Sequence, residues 1–186
     1  MIRILLLLAV LVLPLTACDN DRQAVMPQPE EIAEDTAGFY CGMLLNDHPG
    51  PKGQIHLSDR QAPLWFSAVR DAIAFTRMPG EARNIRAIYV NDMAKVKNWS
   101  HPEPGTWIDA KKAVFVIGSK NRGGMGAQEA IPFGDAAAAQ HFVDSYGGRI
   151  VRLAEIPDEY VVGPPDADNG TTASAPSRRN DDHVQN

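Results

Sequence analysis

Two short runs in this 186-residue chain place sulfur donors where a soft metal ion could use them. The first, Cys41-Gly42-Met43, sets a thiol and a thioether two positions apart. In an extended strand, side chains at i and i+2 share a face. Both sulfurs would then point one way, with Gly42 presenting nothing between them. Thiolate and thioether are soft ligands that favour Cu(I) over harder ions. Cys and Met are also common core residues, and the tripeptide alone reads more simply as core packing. The second run is Gly123-Gly124-Met125-Gly126. Its methionine has glycine neighbours and nothing local to pack against, and glycine lets a backbone approach a partner closely. A third soft donor on such an arm would complete a three-coordinate Cu(I) site that can open. A plain turn with Met125 tucked beneath it reads the run equally well.

The remaining ligand-type residues say less. His48 follows Met43 in a turn-rich stretch and is either a further donor or a turn residue before Pro49. His56, His101 and His141 have no metal-like spacing, and His183 falls near the C-terminus. Met78 and Met93 read as core, and Met26 precedes the folded part. A single available Cys with scattered His gives no closed four-ligand set for zinc. Ser67 and His101 lack a nucleophile-elbow context. No P-loop or Gly-x-Gly-x-x-Gly run occurs, and the carboxylates form no obvious acid–base pair. Net charge is −5 with no basic stripe, which removes the electrostatic footprint of nucleic-acid binding.

Cysteine usage narrows the chemistry. Arg3, an apolar run over residues 4–13 and small residues before Cys18 give the order of a secretory signal. The apolar run is shorter than the roughly 20 residues a membrane-crossing helix needs. Leu15-Thr16-Ala17-Cys18 resembles the bacterial lipobox, which implies cleavage before Cys18 and a lipid on its sulfur. The expected location is the cell membrane, lipid-anchored and facing the periplasm. The chain has two cysteines, so Cys41 is left as the lone thiol in an oxidising compartment. Residues 18–35, rich in Pro, Gln, Glu and Asp, read as a flexible tether, and 161–186 as a disordered tail. One domain over 36–160 remains.

The elements that must position these sulfurs show one pattern twice. In the second copy, residues 113–117 fit a buried strand, 118–126 a glycine-rich loop and 127–133 a short strand that Pro132 confines to an edge. Gly134-Asp135 offers an N-cap for an alanine-rich helix over 136–146, Gly147-Gly148 ends it, and 149–156 reads as a third strand. In the first copy, 38–45 reads as a strand, 46–53 as a turn and 54–57 as a strand. Leu64-Trp65-Phe66 then leads into a helix over 68–77, and 84–90 is a strand. Phe66 and Phe133 each precede a helix. The fold expected is α+β, a tandem of ββαβ units about 60 residues long with mainly antiparallel sheets and helices on one face.

The motifs together resemble the NosL family of nitrous oxide reductase accessory lipoproteins. Cys41-Gly42-Met43 and His48-Pro49-Gly50-Pro51-Lys52-Gly53-Gln54 carry the resemblance, with Val90-Asn91-Asp92-Met93, Trp107-Ile108-Asp109-Ala110, Gly118-Ser119, the Met125 run and Gly147-Gly148-Arg149. The resemblance implies a non-enzymatic chaperone that delivers Cu(I) for the copper centres of nitrous oxide reductase. It also implies partnership with the membrane complex that assembles them, two ββαβ units, and Cys41, Met43 and Met125 as ligands. The tail after Gly163 lies outside it. Two other classes stay open: a thiol-dependent enzyme cleaving metal–carbon or metal–sulfur bonds, and a lipoprotein that only binds another protein. The first has one thiol where dithiol exchange needs two.

Overall fold

Strand, strand, helix and strand follow one another twice in the computed structural model, which describes residues 26–164. Cys18, the signal segment and residues 165–186 lie outside the described residues. The first unit is β1 (Gly53–Leu57), β2 (Leu64–Phe66), α1 (Val69–Arg77) and β3 (Ile85–Asn91). After β4 (Trp107–Asp109), the second unit is β5 (Val114–Ile117), β6 (Ile131–Phe133), α2 (Ala136–Tyr146) and β7 (Arg149–Arg152); α3 (Asp158–Val162) follows. All pairings are antiparallel, in the orders β2-β1-β3-β4 and β6-β5-β7. In both units the first strand lies between the other two. Phe66 pairs with Gly53 and Phe133 with Val114, so the two phenylalanines that precede the helices occupy equivalent places.

The expected tandem is present, with the first unit shifted along the chain. Its leading strand is β1, not 38–45, and Leu64-Trp65-Phe66 is β2 instead of a helix lead-in. Residues 38–45 do not run on as a strand because Gly42 takes φ +65° and turns the chain back. Only a single bridge, Ala37 to Leu44, closes that turn. In the second unit, β6 is an edge strand that tolerates Pro132, and the Asp135 side chain accepts from Ala137 N at 2.9 Å as the α2 cap. The strand expected over 149–156 stops at Arg152. A 3-10 turn at Leu153–Glu155 leads to α3, which buries Tyr160 and Val161.

Alternation decides which faces are buried. Ile55, Leu57, Leu64, Phe66, Ile88 and Val90 of the first sheet pack on Val69, Ile73 and Phe75 of α1. Phe115, Ile117 and Val151 of the second sheet join this core from the other side. The opposite face of the second sheet, with Val114, Val116, Ile131 and Phe133, packs on Ala139 of α2. Each main helix thus covers one face of its own sheet.

The outer face of the first sheet is polar, and a strap covers it. Gln54 Oε1 accepts from Glu30 N at 2.8 Å, and Gln54 Nε2 donates to Glu30 O at 2.9 Å. Tyr89 donates to Pro27 O at 2.6 Å, and the Glu31 carboxylate accepts from Gly105 N and Trp107 Nε1. The tether expected to run to Asp35 is therefore docked on the domain from Pro27 onward. Its composition conceals this, because its partners are remote backbone and side-chain groups.

At Gly53, β1 and α1 approach so closely that an added Cβ would lie 2.6 Å from Ala72 Cβ. Gly53→Ala must push the helix outward. Denaturant unfolding is expected to show a loss of about 1–3 kcal/mol, the usual cost of overpacking; an unchanged midpoint would contradict this packing.

Candidate metal centre

Cys41 and Met43 lie in a tight turn, which replaces the shared strand face expected from their spacing. Gly38 N donates to Met43 O at 2.9 Å and Gly42 N to Gly38 O at 2.8 Å, so the two sulfur residues flank a left-handed glycine. The turn is fastened to the open edge of β2, where Phe39 N donates to Trp65 O at 2.7 Å. Phe39 and Tyr40 rest on Phe66 and Phe75, and Tyr40 Oη donates to Glu81 Oε1 at 2.8 Å. Cys41 is a free thiol of intermediate exposure, and Sγ lies 3.7 Å from Ser67 Oγ. Met43 is 42% exposed, so the turn is not core packing for its thioether.

Met125 sits at the tip of a small hairpin, 47% exposed. Gly126 N donates to Gly123 O at 2.8 Å and Gly123 N to Ala127 O at 3.0 Å, while Arg122 bridges Gln128. The glycines serve close approach more than freedom. A Cβ on Gly124 would lie 2.5 Å from Pro49 O and 2.8 Å from His48 Cβ. A Cβ on Gly123 would lie 2.7 Å from Glu129 Oε2. The hairpin therefore leans on the His48 turn and on a buried acid.

That acid ties the Met125 hairpin to the helix of the first unit. Ala68, the residue before α1, offers no side-chain cap. Instead Glu129 Oε1, from the other unit, accepts from Arg70 N in the first turn at 2.8 Å and from Ala130 N at 2.9 Å. Ser67, against which Cys41 Sγ lies, immediately precedes the same helix end. Burial pushes the Glu129 carboxyl up to about 8, against the two amides and the Lys52 charge that pull it down. Lys52 is buried and donates to His48 O and Gly50 O at 2.6 Å each, closing the turn. Burial lowers its ammonium to about 8, with Glu129 opposing. Buried His48 Nε2 and Glu129 Oε2 find no hydrogen-bond partner among the described residues, and both residues abut the Met125 hairpin.

Other ligand-type residues are accounted for. Met93 is in the second core and Met78 packs on the first, as expected; Met26 is exposed. His56 is bonded to Gln54 Oε1 at 2.9 Å within β1. Among the described residues no three His, Cys, Asp or Glu side chains gather as a metal-binding set. The donor-type side chains that sit on loops are the sulfurs of Cys41, Met43 and Met125, with His48 beside the Met125 hairpin. Sequence reasoning passed over Glu129, quoted Lys52 only as part of a motif and weighed Ser67 only as a nucleophile. The one readable signal was a lone carboxylate, Glu129, beside the otherwise apolar Ala130-Ile131-Pro132-Phe133.

The fold defines the class: a small duplicated ββαβ domain that leaves thioether side chains exposed on two loops, Met43 on one and Met125 on the other. The NosL family model matches residues 29–161, and the chain belongs to the NosL family. It is 45% identical over 185 residues to the copper-binding lipoprotein NosL of Achromobacter cycloclastes, covering 98% of this chain and 92% of that protein. It is 31% identical over 153 residues to the copper-binding lipoprotein NosL of Stutzerimonas stutzeri, covering 81% and 78%. The crystal structure of the copper chaperone NosL from Shewanella denitrificans superimposes with a TM-score of 0.65 at 32% identity. It covers 69% of this chain and 95% of that one. These relatives are named as binding and chaperone proteins.

The raised Glu129 carboxyl fixes the sign of a pH effect. The folded protein keeps a proton that the unfolded chain releases above about 4.5. Stability from this group is full below that pH and is lost as pH rises towards about 8. Glu129→Gln keeps an acceptor for Arg70 N but cannot ionise. Metal-free protein carrying it is expected to lose less stability across this window than wild type; parallel stability–pH curves would contradict the assignment.

Proposed function

We propose that the chain carries Cu(I) as cargo, held by the Cys41 thiolate and the Met43 and Met125 thioethers, and delivers it for assembly of the copper centres of nitrous oxide reductase. The observation that carries this reading is the convergence of the two sulfur-bearing loops on the N-terminal end of α1. The Cys41 turn reaches it through Ser67, and the Met125 hairpin through Glu129. Donor type argues for the cuprous state, since thiolate with thioethers is a soft set. The names of the relatives, copper-binding lipoprotein and copper chaperone, support copper as the metal. His48 Nε2 is the nitrogen nearest in sequence that could add to the set.

Release is built into this arrangement. Met43 and Met125 are exposed, and so is Leu44, the residue that follows Met43. A receiving protein can reach the metal from the open side and replace thioethers before the thiolate. The receiver in this reading is the membrane complex that assembles the reductase.

A lipid on Cys18 would hold the chaperone at the cell membrane, facing the periplasm. No helix of the described residues is long and apolar enough to cross a membrane. Because the strap is docked from Pro27, only residues 19–26 separate the lipid from the domain. At 3.3–3.6 Å per residue these reach at most about 30 Å, which keeps the cargo near the membrane surface.

Anaerobic titration against a Cu(I) chelator tests the reading. One Cu(I) per protein is expected, with affinity falling at least about a hundredfold in Cys41→Ala and less in Met43→Ala or Met125→Ala. Wild-type affinity in Cys41→Ala would overturn it.

A further inference from the structure

The Cys41 sulfur is held between two groups that copper coordination alone does not explain. On one side is Gly38, where an added Cβ would lie 2.7 Å from Sγ. On the other is Ser67, 3% exposed, whose Oγ lies 3.7 Å from Sγ. We propose that Ser67 is a positioning residue of the copper centre, whose hydroxyl donates a hydrogen bond to the Cys41 thiolate and tunes how tightly the sulfur holds Cu(I). The proposal rests on Cys41 being the anchoring ligand, as argued above.

Three observations carry it. A buried hydroxyl needs a partner, and among the described residues the Cys41 sulfur is the one Ser67 Oγ has. Once Cys41 has given its proton to solvent and taken a metal, its sulfur can only accept, so Ser67 must be the donor. The juxtaposition is also fixed by backbone. Ser67 directly follows β2, and the Cys41 turn is tied to that strand through Phe39 N and Trp65 O at 2.7 Å. Ser67 thus stands at a set place beside the sulfur.

The consequence follows from charge. A hydrogen bond to an ionised acceptor is strong and draws electron density from it. The thiolate becomes a weaker donor to copper, while Ser67 itself leaves the coordination sphere alone. This suits a carrier that must surrender its cargo.

The test uses the full-length protein in detergent, loaded anaerobically with Cu(I). Two readouts are taken: the ultraviolet thiolate-to-copper charge-transfer band, and the rate of copper loss to a chelator. In Ser67→Ala the sulfur regains density, so the band is expected to move to lower energy and copper loss to slow by roughly fivefold. Ser67→Thr keeps the hydroxyl and is expected to restore the wild-type band and rate. If Ser67 only supports the turn, copper-bound Ser67→Ala would show an unmoved band, and that result overturns the proposal whatever its affinity. Failure of wild type itself to bind Cu(I) would instead refute the copper-carrier reading.

Discussion

The Glu129 carboxyl, lent by the second ββαβ unit, caps the helix of the first. α1 starts at Val69, the Ala68 before it offers no side-chain acceptor, and the first-turn amide at Arg70 is buried. Leaving such a donor unpaired costs about 1–3 kcal/mol. Glu129 removes that cost, and its backbone carbonyl in turn accepts from Tyr160 Oη at 2.9 Å, which brings in α3. Arg70 adds the return link, donating to Val161 O and Gly163 O. One buried acid therefore joins both units and the C-terminal helix. Burial makes it expensive to ionise, so the stitch is strongest where the group stays protonated.

Both sulfur-bearing loops are built outward from this stitch. The Met125 hairpin uses glycine at Gly123 to lie against Glu129 and at Gly124 to lie against the His48 turn, which Lys52 closes from below. The Cys41 turn reaches the same helix end from the β2 edge, pinned by Phe39 and Tyr40 on the core aromatics. Hydrogen bonds and aromatic contacts fasten the loops to the core, while the thioether ends stay exposed. That combination suits the proposed carrier: sulfur side chains held at set places, one of them a partly sheltered thiol and two of them exposed thioethers.

Much of this was legible in the sequence where a local rule was strong. α2 could be read from Asp135 to Gly147 because cap, alanine run and terminator all agree. β5 showed as an apolar run, and the edge position of β6 followed from Pro132. The first unit was misplaced because Cys41-Gly42-Met43 has a strand-like composition, while Gly42 adopts a turn conformation that composition does not reveal. β2 has three residues, too few for periodicity to separate it from a helix start. Candidate sulfurs were visible as residue types. Their supports were not, because Ser67 and Glu129 act across 26 and 59 positions. The docked strap was hidden for the same reason.

X-ray absorption on the Cu(I)-loaded protein bears most directly on the central claim, since it counts the donors. Three sulfur neighbours, falling to two in Met125→Ala, are the result this account predicts. A copper ion bound by nitrogen and oxygen alone, or with a sulfur count unchanged in Met125→Ala, would contradict it.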